Sequence, residues 1–271
     1  MNLTTSAYSF HINTTGGTAM PGILLLHGFL GSGEDWKYYA DMLKDRYACF
    51  MPDLPGHGAT MALDDAPRTF ENIAGQIAEL AGKLQTRPFH LVGYSMGGRL
   101  ALYLALEYRE LFRSAVIISS SPGLKTAAER AMRRDSDNRL AESITGNFDS
   151  FLDKWYRLNL FEPLKNHFLF PEILERRRKN NPEALAAALR QMSTGQQPSL
   201  WERLNKNKLP IEFFVGEKDT KYVEIGRQMV NLCPYSELVI FPGCGHTLHI
   251  ENRHLFLDRL ITFLGHLYLL S

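Results

Sequence analysis

"HLVGYSMGGRLAL", residues 90–102, reads as a buried strand, a sharp turn at a serine and the start of a helix. The turn carries G-x-S-x-G as Gly93, Tyr94, Ser95, Met96 and Gly97. Flanking glycines permit a strained strand-to-helix turn that lifts the serine hydroxyl out of a sheet, and the new helix sets unpaired backbone N–H groups beside it. The plainer alternative is a serine N-cap on an ordinary helix. Arg99 lies four residues beyond Ser95, so both project from one face of the helix start. It either snorkels out to pair with Glu107 or solvent, or faces into the fold, where a buried arginine needs an anion.

Working outward, short apolar runs alternate with helical patterns, which predicts an α/β fold: a mostly parallel twisted sheet with helices on both faces. The runs at 22–29, 47–54, 89–95, 114–120, 211–217 and 236–243 read as strands. Residues 34–46, 70–85, 97–109 and 222–232 have helical spacing, and 253–268 forms a closing helix. Roughly residues 5–20 read as an antiparallel edge hairpin turning at Gly16–Gly17. From Leu124 to about Asn207 no strand is recognisable; helical segments punctuated by Pro163, Pro171, Pro182 and Pro198 fill the interval. The chain therefore divides into a first core segment (1–122), a helical lid (123–207) and a second core segment (208–271). Ligands bind at the carboxyl edge of open α/β sheets, and an insertion after a sheet strand would cover that edge.

Composition narrows the function classes. At 271 residues, 45% hydrophobic and 22% charged, the chain can bury a substantial core. Its net charge of +1 gives no reason to expect nucleic acid as a partner. Cys49, Cys233 and Cys244 are odd in number and lack metal-site spacing, which suggests a reducing compartment without disulfides or zinc. The N-terminus lacks a secretory pattern, and the longest apolar stretch, near the C-terminus, is broken by Asp258 and Arg259. A cytoplasmic protein with no membrane span is expected. Nothing in the sequence sets an oligomeric state, and a monomer is compatible with it.

Two elements complete a reactive constellation. Asp219 follows the strand at 211–217 and His246 follows the last strand, giving the chain order Ser95, Asp219, His246. His246 would accept the serine proton while Asp219 sets its tautomer. His249 and Glu217 are the alternative base and acid, but His249 lies nearer the closing helix and Glu217 abuts its strand. The segment "LLLHGFLGS" (24–32) places the backbone N–H of Phe29 where, with that of Met96, it would hold an oxyanion. His27 and His57 read as structural loop residues, and no histidine pair has metal-ligand spacing. In the helical region, Trp155 and Tyr156 could cover an apolar ligand, while arginines cluster at 127–139 and 175–181. Most such arginines face solvent, but together with Arg99 they suit a small substrate bearing carboxylates.

These motifs resemble the α/β-hydrolase superfamily over essentially the whole chain. More narrowly, "GYSMGGR", "SSSPGLKTAAERAMRRDSD", "DKWY", "RKNNPEALAAAL", "GEKDTKY" and "GCGHTLHIEN" resemble the 2-succinyl-6-hydroxy-2,4-cyclohexadiene-1-carboxylate (SHCHC) synthases of menaquinone and phylloquinone biosynthesis. The resemblance implies a lyase that removes pyruvate from 2-succinyl-5-enolpyruvyl-6-hydroxy-3-cyclohexene-1-carboxylate (SEPHCHC) without metal or organic cofactor. It implies that Ser95, relayed by His246, acts as a base. It maps substrate-gripping arginines onto Arg99, Arg133 and Arg178, with Arg130, Arg134, Arg176 and Arg177 as close neighbours, and site aromatics onto Tyr94 and Trp155. Two positions depart from the family pattern: Ser121 stands where a histidine is expected, and Thr220 where a serine is common. The competing readings are a serine hydrolase (carboxylesterase, thioesterase or C–C bond hydrolase) and a non-catalytic binding protein on the same fold.

Overall fold

The computed structural model describes residues 1–17, 19–66, 68–84 and 88–266. Its nine described strands are β1 (Asn2–Thr4), β2 (Tyr8–Thr15), β3 (Gly22–Leu26), β4 (Ala48–Pro52), β5 (Met61–Ala62), β6 (Phe89–Tyr94), β7 (Phe112–Ile118), β8 (Ile211–Gly216) and β9 (Ser236–Phe241). They form one sheet in the order β1-β2-β4-β3-β6-β7-β8-β9, with β5 added to β2. From β4 through to β9 all neighbours are parallel; β1, β2 and β5 pair antiparallel.

The helices are α1 (Lys37–Leu43), α2 (Phe70–Lys83), α3 (Met96–Glu107), α4 (Ala127–Gly146), α5 (Phe148–Tyr156), α6 (Glu162–Lys165), α7 (Phe170–Arg178), α8 (Pro182–Gln191), α9 (Thr220–Leu232), α10 (Leu248–Glu251) and α11 (Arg253–His266). Residue 85 of the expected second helix and residues 267–268 of the expected closing helix lie outside the described residues.

Period-two alternation sorts the strands' side chains between two cores. Leu24 and Leu26 join Phe70, Leu100 and Leu104 on one face, while Ile23 and Leu25 join Trp36, Tyr39 and Phe256 on the other. Each such fully buried aliphatic side chain contributes about 1.5–3 kcal/mol. Because both faces are covered, the central strands read as unbroken apolar runs.

The N-terminal hairpin differs from expectation. Its turn lies at Thr5–Ala7, between β1 and β2, and not at Gly16–Gly17. The cause is a long-range contact: Gln76 Oε1 of α2 accepts hydrogen bonds from Thr5 Oγ1 at 2.7 Å and from Ala7 N at 2.9 Å. Gly16 instead ends β2 with φ +78°, where a Cβ would lie 2.2 Å from the Tyr47 carbonyl oxygen.

Between β7 and β8 the described residues contain no strand; α4 to α8 form an insertion with its own core, including Ile144, Phe151, Leu152, Phe161 and Leu185. Two core-domain residues, Leu30 and Ile250, are packed into that core. The chain order reverses between β3 and β6, since β4 lies on one side of β3 and β6 on the other. Such a switch point opens a crevice at the strands' carboxyl ends. The insertion sits over it, with residues of both parts lining one cavity.

Candidate active site

The Ser95 turn is built by close backbone packing. A Cβ on Gly97 would lie 2.4 Å from the His27 carbonyl oxygen, and one on Gly93 would lie 2.5 Å from that of Gly97. Only glycine lets strand, turn and helix approach so closely. Ser95 itself has φ +52°, ψ −108°, a strained conformation for a residue with a side chain. Its N–H donates to the Ile118 carbonyl at 2.9 Å, and its carbonyl accepts from Ser120 Oγ at 2.7 Å. These bonds hold the strain in place.

Ser95 Oγ lies 3.0 Å from His246 Nε2, and His246 Nδ1 lies 2.6 Å from Asp219 Oδ2. His246 and Asp219 are buried. Asp219 leaves β8 at the start of α9, and His246 sits in the loop after β9, where the Glu251 carboxylate accepts the backbone N–H groups of Gly245 and Thr247. The alternatives serve other purposes. Glu217 is exposed and accepts the Gly243 N–H at 2.8 Å. His249 is buried 4.3 Å, ring to ring, from Tyr94, and burial pushes its pKa down to about 3, so it stays neutral.

The cavity above the serine has a volume of about 380 Å³. Phe29, Tyr94, Met96, Arg99, Arg133 and Trp155 all line it with the three triad residues. The Trp155 ring stands 5.6 Å from that of Phe29, closing the insertion over the 27–32 loop. That loop abuts Ser95 directly: a Cβ on Gly28 would lie 3.5 Å from Ser95 Cβ. Met96 is the first residue of α3, so its N–H is one of the helix's unpaired N-terminal donors.

The arginines separate into different environments. Arg99 donates to the Met192 carbonyl at 2.7 Å and to Gln197 Oε1 at 3.3 Å, and its guanidinium stands 5.8 Å from the Phe70 ring centre. No carboxylate among the described residues is at ion-pair distance from it; Glu107 pairs with Arg203 instead. Burial pushes the Arg99 pKa down to about 10, which still leaves it charged at neutral pH. Arg133 holds the buried Asp137 carboxylate through Nε at 2.8 and 2.9 Å, and Asp137 also accepts from Ser193 Oγ.

The position expected at Arg178 is corrected. Arg178 points outward to Glu175 and Asp149 and does not line the cavity; Arg177 does. Successive residues on a helix point about 100° apart, and Phe170, Ile173 and Leu174 of α7 form an apolar stripe whose next position is Arg177, the signal that could have found it. Arg130 and Arg134 also lie away from the cavity, donating to the carbonyls of Leu124 and Gly195.

Sequence reasoning missed Tyr222 and Lys221, which line the cavity just after Asp219, and Asp137, the partner of Arg133. Asp137 was findable, being four residues from Arg133 on one helix face. Asp35, the partner of Arg177, carries no such local signal. Ser121 stays outside the cavity, with its carbonyl accepting from Gln197. Among the described residues no cluster of three or more metal-ligating side chains occurs, and no helix is long and apolar enough to cross a membrane.

Sheet order, strained serine turn and Ser–His–Asp geometry together define a protein of the α/β-hydrolase class. The sequence family described as the alpha/beta hydrolase family matches residues 23–259. A Bacillus subtilis (strain 168) protein, named provisionally as an SHCHC synthase, is 35% identical over 94% of this chain and 95% of its own length. An SHCHC synthase of Pectobacterium atrosepticum is 30% identical over 91% of this chain and 94% of its own. The solved structure of MenH from S. aureus superposes with a TM-score of 0.89 at 31% identity, covering 97% of this chain and 99% of that one. The chain belongs to the alpha/beta hydrolase family and, within it, to the family of the SHCHC synthases.

Proposed function

We propose that this chain is a carbon–oxygen lyase that eliminates pyruvate from SEPHCHC to give SHCHC in menaquinone or phylloquinone biosynthesis, with the 123–207 insertion as its lid. The observation that carries the substrate class is Arg99: a cation held in the cavity wall with Ser95, with carbonyl and amide partners but no acid among the described residues at ion-pair distance. An unneutralised buried charge is costly, and a carboxylate on the substrate would offset it.

In this reading Ser95 Oγ, its own proton held by His246 Nε2, removes the proton next to the succinyl ketone. Asp219 keeps His246 in the Nδ1–H tautomer and stabilises the imidazolium. The backbone N–H groups of Phe29 and Met96 hold the negative charge that develops on the ketone oxygen. The released electron pair forms a double bond between ring carbons 2 and 3, the existing 3,4 double bond shifts to carbons 4 and 5, the C5–O bond to the enolpyruvyl group breaks, and the departing enolate takes up a proton at its methylene carbon to become pyruvate. Arg99, with Arg133 and Lys221 at the same cavity, positions the carboxylates. The chemistry assigned to these residues needs no cofactor, and we place the enzyme in the cytoplasm.

The test is turnover of SEPHCHC generated in situ, followed through the conjugated diene and through pyruvate. A rate far above spontaneous elimination, lost in Ser95→Ala, supports the lyase. No acceleration, with efficient hydrolysis of simple esters, would return the protein to the hydrolases.

A further inference from the structure

The turn that brings Asp219 to His246 carries a second polar group into the cavity. Tyr222 lies in the first turn of α9, its backbone N–H donating to the Asp219 carbonyl at 2.8 Å. Its ring packs 5.0 Å from that of His246, centre to centre, and Lys221 Nζ stands 5.5 Å from the Tyr222 ring centre. The ring is thus fixed to the triad twice, through the helix turn at Asp219 and against His246.

The fold does not use the Tyr222 hydroxyl. It makes no hydrogen bond to the described residues, although the side chain lines the cavity with Ser95, Arg99 and Arg133. Asp219, the one acid among the described residues lining that cavity, is engaged by His246. Burial and the Asp219 carboxylate hold the phenol above its ordinary pKa, against the opposing charges of Arg99 and Arg133. It therefore stays protonated at neutral pH and keeps an O–H to donate.

Arg99 is only partly free. Nη2 already donates to the Met192 carbonyl and Nη1 to Gln197 Oε1. An incoming carboxylate offers about four lone-pair sites, and those left without a donor lose their water for no return. A neutral donor on the same wall fills that need without adding charge.

We propose that Tyr222 is a further substrate-binding residue, whose hydroxyl donates to the carboxylate that Arg99 receives. Because its ring is fixed on His246, it also sets the distance between that carboxylate and the triad. A molecule with an ester or amide in place of this carboxylate loses a charge-assisted hydrogen bond and is discriminated against. The proposal rests on the reading of the cavity as a site for a polycarboxylate.

Its test therefore separates binding from turnover. One arm is steady-state SEPHCHC elimination. The other is calorimetric titration with 4-(2-carboxyphenyl)-4-oxobutanoate, a stable aromatic keto-dicarboxylate whose binding is read without any reaction. The variants are Tyr222→Phe, which keeps the ring on His246 and removes only the hydroxyl, Arg99→Met, and the pair. Each is checked for folding by its unfolding transition.

In Tyr222→Phe, KM for SEPHCHC and Kd for the dicarboxylate should each rise about tenfold, with kcat within about twofold. The pair should lose less than the product of the two single losses, since both donors serve one anion. Unchanged KM and Kd in Tyr222→Phe would overturn the proposal. A fall in kcat with KM and Kd unchanged would also overturn it, by placing the hydroxyl in the chemical step. Single losses that multiply in full would put Tyr222 and Arg99 on different groups and overturn the shared carboxylate. If wild type does not accelerate SEPHCHC elimination while the titrations follow the expected pattern, the lyase reading fails and the assignment of Tyr222 stands. If wild type neither accelerates the elimination nor binds the dicarboxylate, both fail.

Discussion

The two walls of the cavity carry charge in opposite ways. On the core wall, Arg99 is held by a carbonyl and an amide, with no acid at ion-pair distance among the described residues. On the insertion wall, Arg133 and Arg177 each arrive with an aspartate, Asp137 and Asp35. An arginine already paired is nearly neutral to an incoming anion, whereas an unpaired one in a low-dielectric wall attracts it strongly. In the proposed reading the contrast is a division of labour: the core wall supplies the chemistry and the stronger binding charge, and the insertion wall supplies shape and a weaker, already paired charge.

The largest expected effect lies with the core wall's chemistry. Ser95→Ala and His246→Ala should each lower kcat for SEPHCHC elimination by about 10³-fold or more, measured by diene absorbance. Activity surviving in both would mean that the constellation is not the catalytic base, and the comparison would lose its chemical half.

Next comes the difference in charge between the walls. Arg99→Met should lower kcat/KM by about 10²-fold, since it removes a charge-assisted contact that nothing else replaces. Arg133→Met, whose Nε is engaged by Asp137, should lower it by about tenfold or less. Equal losses from the two would erase the distinction, and a larger loss at Arg133 would reverse it.

Acid should expose the paired wall through stability. Burial alone would raise the Asp35 pKa, but the charges and hydrogen bonds of Arg177 and Arg176 outweigh it and hold the carboxyl below its ordinary range. A folded-state pKa below the unfolded value of about 3.9 gives stability that is present above about pH 4 and lost as pH falls through the folded-state value. Urea unfolding of wild type should therefore weaken below pH 4 more steeply than that of Asp35→Asn, which lacks this proton uptake. Identical acid slopes would remove Asp35 as the linked group.

The smallest effect should come from the apolar part of the insertion wall. Trp155→Ala, which removes the ring packed 5.6 Å from Phe29, should raise KM by about tenfold and change kcat less. A dominant loss in kcat would move Trp155 from covering the ligand to aligning it.

Much of this was legible in the residues. Apolar runs with helical segments between them specify a parallel sheet because both faces must be covered, and the six core strands fall within a few residues of expectation. Gly93 and Gly97 mark the serine turn because no side chain fits between the backbones there. Asp219 and His246 follow from their places at strand ends, and the helical insertion from the absence of strands between β7 and β8. All of these are local patterns, or depend only on the order of elements along the chain.

Contacts between distant segments were not legible. The N-terminal turn fell at Thr5–Ala7 because Gln76 draws it there, and glycine content alone pointed to the wrong place. In the Arg176–Arg178 run, chemistry is identical at three positions, and helix rotation selects Arg177 for the cavity and turns Arg178 to solvent; the apolar stripe of Phe170, Ile173 and Leu174 marks that side of α7, but not the acid that meets it. Asp35 and Arg177 are 142 positions apart, and no periodicity links them. The sequence by itself determined the sheet, the places of Ser95, Asp219 and His246 at strand ends and the presence of an insertion, because hydrophobic periodicity and backbone sterics act locally. Tertiary structure alone decided which arginine is free and which is neutralised, because that depends on which acid the folded chain brings alongside.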